Sequence, residues 1–306
     1  MKHKDQEITA PITAIQRFCV HDGPGIRTVV FFKGCPLRCQ WCQNPETIES
    51  DPELAVYSSS CILCGLCVIA CPVQAISLSP EGDMCLNSDK CSSCGTCARV
   101  CYAHARKLVG RNWTVDQVLT ALLKDITFYK NSGGGVTLSG GEVSLYPAFA
   151  SSLLRRLKEC GVRTAIETCG YANWKNLRQI IQHADLVLFD IKHSDPQKHR
   201  QFTGNCNSII LENLKRTCEL GCEVVARVPL IPGFNDDEGT IREIAQIAID
   251  NAIRNIDLLP FHQIGQAKWA AHGKPYEFME VQSIQSEKVE FARAIMLSMN
   301  SFSSVT

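Results

Sequence analysis

The 306-residue chain lacks an excess of charge of either sign, since 31 Lys and Arg residues balance 31 Asp and Glu residues. A balanced chain has no strong field to attract nucleic acid or an anionic membrane surface, so neither partner is expected. The sequence also contains no apolar run of about 18 residues, which excludes a spanning helix by length. Its first residues carry charges without an apolar segment before a small-residue cleavage site, so we expect a cytoplasmic protein.

Cysteine, in contrast, is abundant, with 18 residues. A secreted disulfide scaffold is short and rich in loops, whereas this chain is long and 45% hydrophobic. In a reducing compartment, clustered cysteines indicate metal or redox chemistry. Three tight groups hold most of them, and we interpret the remaining seven as small core residues: Cys19, Cys85, Cys160, Cys169, Cys206, Cys218 and Cys222.

Two of the groups repeat the pattern C-x2-C-x2-C-x3-C, the first beginning at Cys61 and the second at Cys91. This is the spacing of bacterial ferredoxins, in which the fourth cysteine of each run binds the other cluster. The repeat predicts two 4Fe–4S clusters with interlaced ligands: Cys61, Cys64, Cys67 and Cys101 for one, and Cys91, Cys94, Cys97 and Cys71 for the other. Two zinc sites are the alternative, but a zinc ion needs four ligands of its own.

The third group, Cys35, Cys39 and Cys42, offers only three thiolates. A 4Fe–4S cluster held by three cysteines keeps one iron open to a small molecule, as a catalytic zinc site keeps one position open. The pattern C-x3-C-x2-C with the aromatic Trp41 before its third cysteine resembles the signature of radical S-adenosylmethionine (SAM) enzymes. That resemblance implies that SAM chelates the open iron and that one electron cleaves its sulfonium to a 5′-deoxyadenosyl radical.

Outside the cysteine-rich part, strands and helices alternate. Apolar runs typical of buried parallel strands cover 26–32, 136–139, 164–167, 186–191, 224–230 and 256–261. Helical patterns follow a Thr114 N-cap, surround 153–157 ahead of Gly161, and cover 174–183, 209–220 and 240–251.

This order predicts an α/β fold, a partial (β/α)6 TIM-like barrel with an inserted ferredoxin-like domain that carries two 4Fe–4S clusters. The barrel would begin in residues 1–50, the insert would cover 51–108, and the rest of the barrel would cover 109–306. The active site of such a barrel lies at the carboxyl ends of its strands. Charged and glycine-rich residues occur at the predicted strand ends, as expected for such a site.

The whole chain resembles a glycyl radical enzyme activating enzyme of the pyruvate formate-lyase activase type, in the subgroup with a two-cluster ferredoxin insert. The resemblance rests on five segments: HDGPGIRTVVFFKGCPLRCQWCQNPE (21–46), SGGGVTLSGGE (132–142), ADLVLFDIKH (184–193), RVPLIPGFND (227–236) and LLPFHQIGQAKW (258–269). It implies that the radical removes one hydrogen atom from a glycine α-carbon of a partner protein, in an anaerobic cell. A ferredoxin or flavodoxin would supply the electron.

The resemblance also implies roles for individual residues. Gly140, Gly141 and Glu142 would hold the amino group of SAM, Asp190, Ile191 and Lys192 would line the cofactor, and His262 with Trp41, Cys42 and Gln43 would contact its adenosyl part. Arg227 would pair with the methionine carboxylate or with Asp22, and the DGPGIR segment from Asp22 to Arg27 would meet the glycine loop of the partner. Glu167 and Thr168 stand where the family uses Asp-Thr to hold a monovalent cation, so the Glu is a departure.

Two alternatives stay open on the sequence alone. A ferredoxin-type electron-transfer protein would explain the eight repeated cysteines but not the three-cysteine group. A radical SAM enzyme acting on a small molecule or peptide would not need the DGPGIR segment. The sequence does not select among formate-lyase, diol or glycerol dehydratase, choline lyase, decarboxylase and sulfonate C–S lyase partners. It does not distinguish an insert that relays electrons from one that docks the partner, and it does not give the oligomeric state.

Overall fold

The computed structural model describes residues 8–80 and 82–306, and its main feature is a sheet of nine strands. Within the described residues the strands are β1 (Thr9–Cys19), β2 (Arg27–Phe32), β3 (Glu53–Val56), β4 (Ile76–Leu78), β5 (Met84–Leu86), β6 (Arg106–Val109), β7 (Arg111–Thr114), β8 (Gly135–Gly140), β9 (Arg163–Thr168), β10 (Leu186–Asp190), β11 (Glu223–Leu230), β12 (Asn255–Pro260) and β13 (Ser304–Val305). The large sheet has the order β13-β12-β11-β10-β9-β8-β2-β1-β7.

The helices are α1 (Leu66–Ile69), α2 (Thr96–Arg99), α3 (Val115–Leu122), α4 (Ile126–Ser132), α5 (Pro147–Glu159), α6 (Trp174–Ile181), α7 (Pro196–Thr203), α8 (Ser208–Glu219), α9 (Glu238–Asp250), α10 (Gln266–Ala271) and α11 (Ser286–Ser298). Local sequence explains several of their first turns. Thr114 and Gln117 form a reciprocal capping box on α3, and the side chains of Asn173 and Asp237 accept backbone N–H groups that begin α6 and α9. Among the described residues, no helix combines the length and the apolar character that a membrane crossing requires.

The six strands predicted from apolar runs are β2, β8, β9, β10, β11 and β12, and they pair in parallel in chain order. Helices connect them from β8 onward, which is the alternation that the sequence predicted. Three further strands of the sheet were not predicted. The antiparallel β1 and β7 extend one edge, and the two-residue β13 extends the other.

Both faces of the parallel strands other than β12 are largely buried, which explains their continuous apolar sequences. On β9, β10 and β11 alternate residues such as Ile166, Phe189 and Ala226 belong to the main core with the helices. The residues between them form a smaller cluster on the other face: Ala165, Leu186, Leu188 and Val225. Side chains along a strand point alternately to the two faces of the sheet. A polar residue two positions after a member of this second set therefore projects from the same face as that set.

The cysteine-rich segment forms two small antiparallel sheets, β3 with β6 and β4 with β5. Its two halves repeat the same backbone conformation 30 residues apart. Leu63 and Ser93 both have positive φ, as do Gly65 and Gly95 and, further on, Gln74 and His104. Gly65 and Gly95 each precede a one-turn helix that carries a buried cysteine, Cys67 in α1 and Cys97 in α2.

A buried lysine joins this segment to the large sheet. Lys33, which follows β2, has a fully buried side chain, and its Nζ lies 2.7 Å from Glu53 Oε2 on β3 and 2.8 Å from the carbonyl oxygen of Glu46. Lys274 approaches the other oxygen of Glu53 at 2.6 Å. Burial raises the pKa of Glu53, but the hydrogen bonds from these lysines outweigh it and hold the pKa below its usual value. The contacts fix the edge of the cysteine-rich segment against the end of β2.

Candidate active site

Cys35, Cys39 and Cys42 lie in the loop that follows β2, at the carboxyl end of the parallel sheet. Burial raises the pKa of Cys39 and raises that of Cys42 to about 12. Burial therefore favours the neutral thiol, whereas a metal centre binds the thiolate and removes the proton. Three partly buried thiols in one loop fit an iron–sulfur group as ligands, because that group is bound by cysteine thiolates.

Helix α7 supports this loop from one side. The N–H groups of Arg38 and Gln40 donate to the carbonyl oxygens of Thr203 and Phe202 at 2.7 and 3.1 Å. The side-chain amide of Asn205 donates to the carbonyl oxygen of Pro36 at 2.9 Å. These backbone contacts set the path of the chain between the cysteines.

Residues after β12 support the loop from the other side. The Gln43 amide donates to the carbonyl oxygen of His262 at 3.0 Å and accepts from the Gly265 N–H at 3.0 Å. Trp269 Nε1 donates to the carbonyl oxygen of Cys42 at 2.8 Å. The ring of His262 is exposed, and its backbone rather than its ring makes the contact with Gln43.

Trp41 lies inside the protein and not at an open surface. It is 5% exposed, and its ring packs 4.6 Å from Phe234 and 6.1 Å from Phe278 between ring centroids. The structure thus gives the indole a packing role in the loop, in addition to any contact with the adenosyl group that the family resemblance implies.

The glycine pair at the end of β8 is required by the protein's own backbone. A Cβ on Gly140 would lie 2.3 Å from the Phe32 nitrogen, and one on Gly141 would lie 2.0 Å from the Gly34 oxygen. Gly140 also has a φ of +110°, which L side chains rarely adopt. The close approach joins the ends of β8 and β2 immediately before Cys35.

Glu142 is fully buried, and its carboxylate accepts three hydrogen bonds. They come from the Ser144 N–H at 2.9 Å, the Thr168 hydroxyl at 2.8 Å and the Cys169 N–H at 2.9 Å. Glu142 therefore ties the ends of β8 and β9 together. Its backbone N–H donates to the carbonyl oxygen of Gly34 at 2.8 Å, which connects it to the cysteine loop.

A charged network occupies the second face of the parallel strands. Arg227 lies 2.6 Å from Glu167 Oε1 and 3.6 Å from Asp22 Oδ1, and it donates to the carbonyl oxygen of His21 at 2.7 Å. Ser139 donates to the second carboxylate oxygen of Glu167. Burial raises the pKa of Glu167, but the charges of Arg227 and Lys192 and the hydrogen bond from Ser139 together outweigh it and hold the pKa below the usual value. Burial and the charge of Glu167 raise the pKa of Asp22 despite Arg227.

A second ion pair lies beside the first. Asp190 pairs with Arg227 in the register of β10 and β11, and its carboxylate binds Lys192 at 2.6 Å. Burial raises the pKa of Asp190, and the neighbouring Asp190 charge raises the pKa of Lys192 although burial opposes this. Ile191 is 1% exposed, and its N–H donates to the carbonyl oxygen of Arg227 at 2.8 Å. The predicted residues on β9, β10 and β11 therefore form one connected group.

Arg27 lies apart from this group, at the first position of β2. Its guanidinium donates to the Thr137 hydroxyl and to the Val136 carbonyl oxygen, both at 2.7 Å. Thr137 in turn donates to the carbonyl oxygen of Asp22 at 2.7 Å. Arg27 thus fixes the DGPGIR segment to β8, and through it positions Asp22.

The pair Glu167 and Thr168 does not fit a monovalent cation in this arrangement. Both oxygens of Glu167 are engaged, one by Arg227 and one by Ser139. The Thr168 hydroxyl donates to Glu142 and accepts from the Gly170 N–H at 3.0 Å. Arg227 already supplies a positive charge at the Glu167 carboxylate.

Cys169 was not singled out by the sequence, although it directly follows Glu167 and Thr168. It is buried, and its thiol is hydrogen-bonded to that of Cys35, which lowers the pKa of Cys35 and raises that of Cys169. The sequence feature that could have identified Cys169 as a site residue is its position just past the end of a predicted strand. The interpretation of the seven remaining cysteines as core residues is wrong for Cys85 and Cys206, which are exposed.

Two cavities in the cysteine-rich segment collect the repeated cysteines. One is lined by Cys61, Cys64, Cys67 and Cys101. The other is lined by Cys71, Cys91, Cys94 and Cys97. These are the two interlaced sets that the spacing predicted, each with three cysteines of one run and the fourth cysteine of the other. In the part of the chain that the structure describes, no three His, Cys, Asp or Glu side chains converge closely enough to hold a single metal ion.

Comparison with protein families assigns the chain to a class. The model of the radical SAM superfamily matches residues 88–244, that of a 4Fe–4S dicluster domain matches residues 60–105, and that of a 4Fe–4S single cluster domain matches residues 21–61. A solved radical SAM methyltransferase from Sphaerobacter thermophilus has the same fold, with a TM-score of 0.50 and 14% identity over 71% of this chain and 62% of that chain.

Relatives with higher sequence identity place the chain in one group within this superfamily. The chain is 41% identical to an isethionate sulfite-lyase activating enzyme from Oleidesulfovibrio alaskensis, over 94% of this chain and 92% of that protein. It is 44% identical to a trans-4-hydroxy-L-proline dehydratase activating enzyme from Clostridioides difficile, over 90% and 92%. The chain belongs to the glycyl radical enzyme activating enzymes of the radical SAM superfamily, which confirms the predicted family, the prediction of an enzyme, and iron–sulfur and SAM as its cofactors.

Proposed function

We propose that this chain activates a partner glycyl radical enzyme by reductive cleavage of SAM. One electron enters, the sulfonium carbon–sulfur bond breaks, and methionine and a 5′-deoxyadenosyl radical result. The radical takes one hydrogen atom from a glycine of the partner, which leaves 5′-deoxyadenosine and a glycyl radical. The observation that carries the proposal is the arrangement of three partly buried thiols beside two ion pairs at the carboxyl end of a parallel sheet.

An iron–sulfur group bound to Cys35, Cys39 and Cys42 would supply the electron to SAM. Toward this group the chain contributes positioning. Hydrogen bonds that the loop accepts from Gly265 and Trp269 and donates to α7 hold it in place. The glycine pair 140–141 brings the end of β8 against the start of the loop, where the amino group of SAM is expected to bind.

The charges of the network are complementary to SAM. Three carboxylates, those of Asp22, Glu167 and Asp190, face two cations, Arg227 and Lys192, so the group has an excess of one negative charge when all are ionised. SAM carries a sulfonium, an ammonium and a carboxylate and has one net positive charge. In a partly buried site such opposite charges attract more strongly than in water. Arg227 is suited to the methionine carboxylate, and Asp190 is suited to the cationic groups.

We also propose that residues 51–108 form a domain with two 4Fe–4S clusters, so that the protein holds three. The two cavities lined by interlaced cysteines support this assignment. A cubane separates its ligands more widely than a single zinc ion does, so the absence of a tight ligand cluster among the described residues favours clusters over zinc. The domains before and after the insert, 1–50 and 109–306, would build the partial barrel.

The partner and the electron donor follow from the same reaction. The glycine-bearing segment of the partner is proposed to approach along an open groove of about 420 Å³, which is bordered by His21, Gly23, Pro24 and Arg227. A ferredoxin or flavodoxin is proposed as the electron donor to the insert, and the cytoplasm as the location. We expect a monovalent cation to be dispensable, since Arg227 already pairs with Glu167.

The experiment is SAM cleavage by anaerobically reconstituted protein with dithionite as reductant. We expect 5′-deoxyadenosine from the unmodified chain and from C206A, which changes an exposed cysteine outside the three groups. We expect none from C39A. Product formation by C39A equal to that by C206A would refute the assignment of the three-cysteine site, and SAM cleavage without a glycyl radical on any co-purified partner would favour a small-molecule substrate.

A further inference from the structure

The two cysteine cavities of the insert are related position by position, with a shift of 30 residues. Gly65 and Cys67 of the first cavity correspond to Gly95 and Cys97 of the second. At the opposite wall, Ala105 of the first cavity corresponds to Ala75 of the second. The backbone repeats as well, as the matching positive φ angles show. Differences in side chains at equivalent positions therefore become differences between the two cavities.

Among the residues that line the two cavities, one equivalent pair differs in charge. The next residue on that wall is Arg106 in the first cavity and Ile76 in the second. Both side chains are buried, with Arg106 3% exposed and Ile76 4% exposed. One cavity thus has a cationic wall where the other has an apolar wall.

Arg106 has no anionic partner of its own within residues 8–80 and 82–306. Both of its terminal nitrogens are buried and make no hydrogen bond to any described residue. An unpaired buried guanidinium is strongly unfavourable, and buried charges are found paired or bound to another group. Its position in the cavity wall indicates what that group is, because the cavity is lined by Cys61, Cys64, Cys67 and Cys101. Four thiolates with an iron–sulfur core are an anion at this place.

We propose that Arg106 is the charge partner of an anionic 4Fe–4S cluster bound by Cys61, Cys64, Cys67 and Cys101, and that it makes this cluster easier to reduce than the one opposite Ile76. The inference depends on the two-cluster assignment above. Reduction adds one electron and one negative charge without breaking a bond, and a fixed positive charge favours the more negative state. Net charge and hydrogen bonds to sulfur are established determinants of cluster potentials.

The test is a potentiometric titration of the anaerobic holoprotein, followed by electron paramagnetic resonance. C64S identifies the signal of the Arg106 cluster, because it changes a ligand of that cluster alone. R106I is expected to make that cluster at least tenfold harder to reduce, which is about 59 mV for one electron. I76R is expected to make the other cluster easier to reduce, and the exchange variant R106I/I76R is expected to reverse the order of the two.

The control is K107M, which removes a positive charge from the same strand at an exposed position beside Tyr57. It is expected to leave both potentials unchanged. If R106I loses the iron of one cluster, R106K is expected to retain it, since it keeps the charge, and loss of iron from R106K would overturn the inference. Unchanged potentials in R106I with full iron content would also overturn it. If the unmodified protein contains iron for the three-cysteine site only, the two-cluster assignment is wrong and the inference falls with it.

Discussion

Arg227 is the residue on which the charged network depends, and R227M removes its charge while retaining much of its apolar length. The Arg227 side chain is 5% exposed and lies against two carboxylates, Glu167 and Asp22. Each is about one quarter exposed or less. Without the guanidinium, two partly buried negative charges face each other with no cation between them.

Removing one partner of a buried pair costs about 3–5 kcal/mol of unfolding free energy. Since both carboxylates retain some contact with water, we expect the lower end of that range, about 3 kcal/mol. The matched control is R216M, the same substitution in the exposed pair of Arg216 and Glu212, for which about 0–1 kcal/mol is expected. The double variant R227M/E167Q should lose less than the sum of its single variants, because one of the two unpaired charges is gone.

The pH dependence has a definite sign. In the unmodified chain the pKa of Glu167 lies below its ordinary value. The stabilisation from Glu167 is therefore fully present above the pKa that this group has in the unfolded chain. It is lost as the pH falls through the lower pKa that the group has in the folded protein. In R227M burial dominates and raises the pKa of Glu167, so the ionised form becomes unfavourable. The deficit of R227M relative to the unmodified chain should therefore shrink between pH 7 and pH 5.

Urea denaturation under anaerobic conditions measures both quantities for five proteins: unmodified, R227M, E167Q, R216M and R227M/E167Q. A loss in R227M no greater than that in R216M would refute the reasoning from the buried network. A deficit that grows as the pH falls from 7 to 5 would contradict the assigned pKa shift of Glu167.

Three further predictions concern the site and its supports. G141A should destabilise the protein by about 1–3 kcal/mol, since its Cβ would meet the Gly34 oxygen at 2.0 Å. The control G239A, with only Asp237 nearby at 3.3 Å, should be close to neutral in the same denaturation assay. Equal effects of the two substitutions would contradict the packing argument. Burial lowers the pKa of His199 on α7 to about 4, so the folded protein favours its neutral form. Protonation of this group should therefore lower the unfolding free energy by about 3 kcal/mol as the pH drops from 7 to 4. The variant H199Q should lack this contribution to the pH dependence, and comparing the two proteins is the check. Replacing K⁺ by tetramethylammonium should leave SAM affinity, measured by calorimetry, unchanged in the native protein, and a marked loss of affinity would show that a cation is bound in spite of Arg227.

The parallel part of the sheet could be predicted because burial of both strand faces produces continuous apolar runs. The predicted run at 186–191 and the observed β10 differ by one residue, and the helix after Thr114 begins where the predicted N-cap places it. In contrast, β1 contains Pro11 and only partial alternation of buried and exposed residues, so it gave no clear strand pattern. The weak amphipathic pattern of α11 and the two-residue length of β13 explain why those elements were missed.

The site was partly predictable for a related reason. Residue types at strand ends, such as Thr168 and Asp190, can be located from sequence once the strands are known. Their partners cannot be, because pairing depends on which strands are neighbours and on register. Sequence alone therefore gave no indication that Arg227 binds Glu167, that Arg27 donates to Thr137 on β8, or that Cys169 contacts Cys35.

The most direct test of the proposed activation follows the hydrogen atom itself. The reconstituted protein, SAM and a reductant are mixed with the partner glycyl radical enzyme labelled with deuterated glycine, and the 5′-deoxyadenosine is analysed by mass spectrometry. We predict one deuterium in the product, together with a glycyl radical signal on the partner. Product that carries no deuterium, with no radical on the partner, would contradict the account.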